Sequence, residues 1–360
     1  MRPALLVTGT VSPYRREPFR LLAEAEDVEV AAWQEAGPPI EGLTVHRTTQ
    51  PGAVRLAASG RYRAVIASLG GRLALPGSYL AARARRIPFV LWATIWAHPR
   101  SLAHAASYLP TIALYRRADA VATYGSHVSD YVRHHRRRGD VFEAPQAVDV
   151  EHFGRPVSAE ERAAARARAD APEDVLLVLF VGRLEREKGL DVLLDAWDQA
   201  SLGPNAILAL AGEGPLRSLA ESRGSTVRTL GYVPAPQLPS LYAAADVLVL
   251  PSTPTATFVE PWGLVVNEAM LQGTPIVATD TVGAVAGGLV RDDRNGLVAP
   301  AGDSVALAAR LRTLAASADL RERLGQAARE DASRLTPAAW AQGMARALAA
   351  AGQGRSALSC

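Results

Sequence analysis

The sequence predicts an α/β protein built of two parallel-sheet domains in tandem. Three observations carry this. The chain has 360 residues, more than one hydrophobic core usually organises. Short apolar runs alternate with helical patterns throughout, which favours parallel strands joined by right-handed crossovers. The alternation pauses once, near residues 148–153, and then restarts.

In the first half the apolar runs are 4–8, 28–33, 64–68, 88–93 and 120–124, each read as a strand. Residues 1–10 hold one arginine and a short apolar run that continues into a polar loop without a small-residue cleavage site, so they are read as the first strand rather than a leader. An Ala/Arg/Glu-rich stretch, 158–169, reads as a helix after the pause. The second half restarts with 175–181 and continues with 206–211, 227–230, 247–250, 275–278 and 296–298. An Ala-rich amphipathic segment, 337–350, could pack on either domain. The expected division is therefore 1–153, 154–335 and a terminal helix and tail, 336–360, which could return to the first domain. Ligands of such sheets sit beyond the carboxyl ends of the strands, so a cleft between two facing domains is the expected site.

Composition narrows the function classes. The longest apolar run, Val175 to Val181, is far short of the roughly 20 residues that cross a bilayer. The single cysteine, Cys360, cannot pair within the chain. A cytoplasmic location is the expectation, with no nucleic-acid partner. The net charge is +3, yet residues 1–150 hold 19 arginines against 12 acids, +7, which leaves −4 for the rest. The densest basic cluster, Arg133 to Arg138 with His134 and His135, reads either as a solvated helix end or as a peripheral contact with anionic membrane or a phosphate-bearing acceptor. Of 39 basic residues, Lys188 is the only lysine. Where arginine has replaced lysine everywhere else, the one survivor suggests a narrow site that needs a point charge.

Four features of the second half fall just past predicted strands. Gly182-Arg183 followed by Lys188-Gly189 places two cations where they could grip a diphosphate and offset the charge of a leaving group. Glu260-Pro261-Trp262-Gly263-Leu264-Val265 leads through a turn into a helix carrying Glu268. The amides of Gly263, Leu264 and Val265 at a helix start make a phosphate seat, with Glu268 in reach of ribose hydroxyls and Glu260 facing the sugar. Gly212-Glu213-Gly214-Pro215 lets backbone approach a flat base, and Leu230-Gly231-Tyr232-Val233 offers edge hydrogen bonds or a stacking face.

In this order the motifs resemble family four of the GT-B glycosyltransferases, whose two Rossmann-like domains face each other across a cleft. Ala244-Ala245-Asp246-Val247, Gly273-Thr274-Pro275, Asn295-Gly296-Leu297, Ala118-Asp119-Ala120 and Val148-Asp149 extend the match, which is specific over about residues 118–300. The resemblance implies a retaining, metal-independent and cofactor-free transfer of a hexose or hexosamine from a UDP- or GDP-linked donor to a glycan, lipid-linked or small-molecule acceptor. It places Arg183 and Lys188 on the diphosphate, Glu268 on the ribose and Glu260 on the sugar.

The first domain departs from the pattern. Where many relatives have a glycine-rich loop, this chain has Thr8-Gly9-Thr10-Val11-Ser12-Pro13-Tyr14-Arg15, a variant that resembles a subgroup associated with cell-surface polysaccharide assembly. Gly9, Tyr14 and Arg15 are candidate acceptor contacts, Tyr14 stacking on a ring and Arg15 meeting a phosphate; a plain turn is the other reading. His98, after the run 88–93, either touches the donor sugar or is a buried structural group. Two further readings of the scaffold remain: a nucleotide-sugar 2-epimerase and a non-catalytic nucleotide-sugar-binding protein. Because Glu260 and Glu268 are read as cleft groups, their amide variants are expected to leave the melting temperature nearly intact.

Overall fold

A computed structural model describes residues 2–98, 100, 102–137 and 139–356; Arg138 and Cys360 lie outside the described residues. The chain divides into two compact units, Met1–Asp149 with Leu335–Cys360, and Val150–Arg334. In the first unit the strands are β1 (Ala4–Thr10), β2 (Val28–Glu35), β3 (Val45–Arg47), β4 (Ala64–Ser68), β5 (Phe89–Ala93), β6 (Ala120–Thr123) and β7 (Val141–Glu143). They form one sheet in the order β3-β2-β1-β4-β5-β6-β7, parallel throughout. In the second unit β8 (Leu176–Val181), β9 (Ala206–Ala211), β10 (Val227–Gly231), β11 (Val247–Leu250), β12 (Ile276–Thr279) and β13 (Gly296–Ala299) form a parallel sheet in the order β10-β9-β8-β11-β12-β13.

The central strands are apolar on both faces because helices cover both. All five residues of β4 and of β5 are buried, as are all six of β9. β3 and β7, three residues each, were not expected from the sequence. They are too short for a hydrophobic pattern to register, and as edge strands they need less apolar surface.

Each sheet reverses its strand order beside its first strand, between β1 and β4 in one unit and between β8 and β11 in the other. Loops leaving the carboxyl ends of these strand pairs part in opposite directions and open a crevice.

The Ala-Asp motifs before β6 and β11 prove to be the same device. The Asp119 carboxylate accepts the Phe89 N–H at 2.8 Å, and the Asp246 carboxylate accepts the Leu177 N–H at 2.7 Å. Behind each stands a buried arginine bound to backbone carbonyls. Arg136 donates to Tyr115 at 2.7 Å and Ala118 at 2.9 Å, and Arg166 donates to Ala244 at 2.8 Å and Pro172 at 2.7 Å. These contacts fix the register of neighbouring strands and satisfy carbonyls that water cannot reach.

The division falls before residue 150, earlier than expected, because the short helix Val150–Phe153 packs in the second unit. Gln272 there donates to the carbonyls of Phe153 and Arg155, the latter at 3.0 Å. The last helix, Pro337–Ser356, belongs to the first unit. Its Trp340 lies 5.4 Å from Phe19 and 5.3 Å from Trp92 between ring centroids, inside that unit's core. Gly343 permits this: a β-carbon there would stand 2.1 Å from the Glu143 carbonyl oxygen.

Candidate active site

In the second unit, the crevice at the β8/β11 switch collects the polar groups. The loop after β8 turns through Gly189, at φ +69°, whose absent β-carbon lets it lie against Pro251; a side chain would meet that carbonyl oxygen at 1.9 Å. This close approach carries Lys188 to the loop after β11. Its ammonium sits 2.5 Å from Glu260 Oε2, and the same oxygen accepts from the Ser252 hydroxyl at 3.0 Å. The Phe258 ring lies 5.0 Å from the ammonium. With 17% of the Lys188 side chain and 7% of the Glu260 side chain exposed, this is a largely desolvated pair. The ammonium thus serves as a point charge between the carboxylate and the ring, the role a compact lysine head suits.

The helix Leu264–Leu271 starts at the same edge. Gly263, at φ +93°, is its N-cap and makes no side-chain cap bond, so the first amides have no intrahelical partner. A β-carbon at Gly263 would press on Leu250 at 2.6 Å. Along the helix, Glu268 Oε2 accepts the Tyr242 hydroxyl at 2.6 Å. Burial outweighs that hydrogen bond and pushes the Glu268 carboxyl up to about 7.

Some expected contacts take other partners. Arg183 remains at the strand end but is tied to its own loop, to Glu185 at 2.5 Å and to Glu187, with 56% of its side chain exposed. Gly182, Gly212 and Gly214 serve the meeting of two loops. A β-carbon at Gly212 would stand 1.8 Å from the Gly182 carbonyl oxygen, and one at Gly214 would stand 2.5 Å from that of Leu184. Their freedom joins the loops after β8 and β9, where Leu184 N–H reaches the Glu213 carbonyl at 2.9 Å. Tyr232 and Val233 separate. Tyr232 is 72% exposed, whereas Val233 is buried and turns into a cleft of about 300 Å³ walled by Arg168, Gln237 and Leu241. Asn295 is also structural: fully buried, it donates to the Leu289 carbonyl and to Asp331, each at 2.8 Å.

In the first unit, a cavity of about 480 Å³ occupies the β1/β4 switch. Thr8, Gly9 and Thr10 line it from β1, Trp33 and Gln34 from β2, Ser68 from β4, and Leu69, Gly70, Gly71 and Arg72 from the loop after it; Arg15, Gln50, Thr94 and Tyr124 complete it. Arg15 is held on the buried Trp92 ring, 4.6 Å from its centroid, and donates to the Tyr124 hydroxyl at 2.9 Å. Burial pushes the Tyr124 phenol up to about 12, so that hydroxyl stays neutral. Tyr14 faces a different depression with Pro39 and Ile40, and only Gly9 and Arg15 of the expected trio reach the cavity. Sequence reading missed Gly70-Gly71-Arg72, although two glycines and a cation directly after the strand 64–68 were the available signal.

His98 lies apart from that cavity wall, its ring 5.0 Å from Tyr108 and its Nε2 3.5 Å from the Ser107 hydroxyl. The basic cluster is not uniform. Arg136 is 4% exposed and serves the strand clamp, and it lines a surface depression together with Arg133, His134, His135, Arg137 and Arg116. Among the described residues no three His, Cys, Asp or Glu side chains converge as a metal site requires. Nor is any helix among them long and apolar enough to cross a membrane.

Comparison with known proteins places these features. Residues 161–331 match the family model for glycosyl transferases group 1. A D-inositol 3-phosphate glycosyltransferase of Streptomyces avermitilis is 36% identical over 229 residues, which is 58% of this chain and 46% of that protein. The 2-deoxystreptamine N-acetyl-D-glucosaminyltransferase of Streptomyces fradiae is 35% identical over 234 residues, 58% of this chain and 53% of that protein. The chain thus spans about half the length of the curated relatives it matches. Among solved structures, Anabaena HepE in complex with UDP aligns at a TM-score of 0.79 and 21% identity, over 96% of this chain and 99% of that one. Sucrose-phosphate synthase from Thermosynechococcus elongatus aligns at 0.75 and 23%, over 96% and 98%. The fold is GT-B, and residues 161–331 carry the likeness to glycosyl transferases group 1.

Proposed function

We propose that this chain transfers a hexose or hexosamine from a nucleoside diphosphate sugar to a glycan, lipid-linked or small-molecule acceptor, with retention and without a metal or cofactor. The observation that carries the reading is the Lys188–Glu260 pair at the β8/β11 switch, beside the uncapped start of the helix that bears Glu268. Each part fits one part of such a donor. Helix amides and Lys188 supply positive field for the diphosphate, which lowers the cost of its departure. Ionised Glu268 accepts from ribose hydroxyls. Glu260, fixed by Ser252 and Lys188, presents negative charge to a sugar ring that gains positive character as its bond breaks. Similarity to HepE, solved with UDP and with UDP-glucose, supports a uridine donor.

When a diphosphate reaches Lys188 it competes with Glu260 for the same ammonium. Donor binding thereby loosens a desolvated ion pair and leaves Glu260 with more charge to direct at the sugar. Release of free nucleoside diphosphate from UDP- and GDP-sugars, in the absence of acceptor, tests the reading. Slow release by wild type that disappears in Lys188→Ala is expected; tight donor binding with no release would point to a sensor. Anomeric analysis of the product by NMR tests retention, and an inverted product would remove it.

A further inference from the structure

We infer that Tyr242 is a positioning residue of donor binding: its hydroxyl holds the Glu268 carboxyl in place and keeps it ready to accept from ribose hydroxyls. This deepens the transferase reading and rests on its assignment of Glu268 to the ribose.

Geometry carries the inference. Tyr242 stands on the helix Leu238–Ala244, fully buried, where a phenol hydroxyl needs a partner. Its hydroxyl donates to Glu268 Oε2 at 2.6 Å and, among the described residues, to nothing else. The ring is held in its place. The Thr274 hydroxyl donates to the Tyr242 carbonyl at 2.8 Å, and the Phe153 ring lies 6.4 Å away between centroids. Phe153 is fixed in turn through its carbonyl by Gln272, the C-cap of the helix that bears Glu268. The hydroxyl therefore meets the carboxylate from a set point. Glu268 itself is only half-buried, and its three side-chain torsions would otherwise let it turn to solvent. With Oε2 engaged from the buried side, Oε1 is left to face a ligand.

The same bond opposes the cost of ionising Glu268. Burial raises its carboxyl, and the Tyr242 hydroxyl lowers it. Burial also pushes the Tyr242 phenol well above its usual value, so the hydroxyl keeps the proton it donates. Among the described residues no cation pairs with Glu268. Of the elements packed against its helix, β11 and β12 carry no ionisable group. On the short helix Val150–Phe153, His152 lies 3.0 Å from the Ala235 carbonyl and Glu151 is exposed. On the helix Ala318–Ala332, Arg329 donates to the Leu271 carbonyl, Arg321 to that of Leu314 and Arg323 to that of Asp293, while Asp331 accepts from Arg294. Asp319, Glu322 and Glu330 of that helix are exposed. Glu260 is matched by Lys188, whereas Glu268 is steadied by a neutral donor, which leaves its full charge for the ribose.

Calorimetric titration of the full chain with UDP and GDP from pH 6 to 9, on wild type, Tyr242→Phe, Glu268→Gln and the double variant, tests this. The Glu268→Gln profile carries the titration of the nucleotide's own phosphate and serves as the baseline. Tyr242→Phe keeps the ring and removes only the hydroxyl. The pH at which affinity develops should move up by about one unit, so that affinity falls about 10-fold at pH 6 and much less at pH 9. On the Glu268→Gln background the same change should cost less than about 2-fold, because the hydroxyl acts through the carboxylate. That comparison stands even if Tyr242→Phe alone fails to fold, since the double variant buries no carboxyl. A loss of equal size at every pH, or one as large on the Glu268→Gln background, would make Tyr242 merely structural and overturn the inference. So would a profile in Tyr242→Phe that matches wild type. Nucleotide affinity unaltered in Glu268→Gln would instead remove the assignment of Glu268 to the ribose, on which the inference rests.

Discussion

The two units place their polar groups at corresponding points of their sheets, yet they treat charge in opposite ways. At the β8/β11 switch each cation already has a carboxylate, Lys188 with Glu260 and Arg183 with Glu185 and Glu187. At the β1/β4 switch Arg15 and Arg72 face only neutral groups. A matched site can exchange partners when a charged ligand arrives, so binding energy is partly converted into redirecting Glu260. An unmatched site has no partner to displace, and its ligand must supply the charge.

The largest expected effect lies at the matched pair. Lys188→Ala should lower transfer about 100-fold or more by removing a charge that faces the leaving diphosphate. It should also destabilise the second unit by about 3 kcal/mol, because Glu260 is left buried without its counter-ion. Lys188→Arg should be poor as well. Steady-state kinetics and thermal melts check both effects, and wild-type activity in the alanine variant would remove the diphosphate role. Glu260 departs from expectation here, since a carboxylate that balances a buried lysine supports the fold as well as the reaction.

The strand clamps offer a control in which the units should behave alike. Arg136→Ala and Arg166→Ala each strand buried carbonyls and should destabilise by about 2 to 4 kcal/mol. Hydrogen exchange read separately in each unit should show the loss confined to the mutated one. A large loss in only one of the two would break the parallel.

Kinetics sharpen the division between the glutamates. Glu260→Gln should reduce kcat with donor KM nearly unchanged, whereas Glu268→Gln should raise donor KM with kcat little altered. Identical signatures would end the division of labour.

The smallest effect is in pH dependence. The Glu268 carboxyl, raised to about 7, holds its proton in the folded chain where the unfolded chain has lost it. Between the ordinary glutamate value and 7 the native state therefore binds more protons, and its stability falls as pH rises through that window. Above 7 the full cost is present. Glu268→Gln should flatten the melting-temperature profile between pH 5 and 8, and donor affinity, which needs the ionised form, should rise from pH 6 to 8 only in wild type. Parallel profiles in the two proteins would contradict this.

Eleven strands were readable as apolar runs, while β3 and β7 were too short to produce one. The second unit's site was legible because its groups follow strands at short, fixed spacing. Even so, spacing could not separate chemistry from architecture. Asp119, Asp246, Asn295, Gly212 and Gly214 carry the resemblance as strongly as Lys188 does, yet they register strands or join loops. Partners distant in sequence were also invisible: nothing near Glu268 announces Tyr242. The first unit's cavity was least legible, since its walls come from separate loops whose threonines, glutamines and arginines are ordinary surface residues until folding brings them together.

Thermal shift with UDP, GDP, ADP and their sugars, applied to wild type, Lys188→Ala and Arg72→Gln, asks whether the donor binds at the β8/β11 switch. At about 100 times its dissociation constant the cognate nucleoside diphosphate should add about 2.7 kcal/mol to wild type. That stabilisation is expected in wild type and Arg72→Gln, and a much smaller one in Lys188→Ala. Stabilisation by no nucleotide, or an equal shift in Lys188→Ala, would contradict a donor site at the β8/β11 switch.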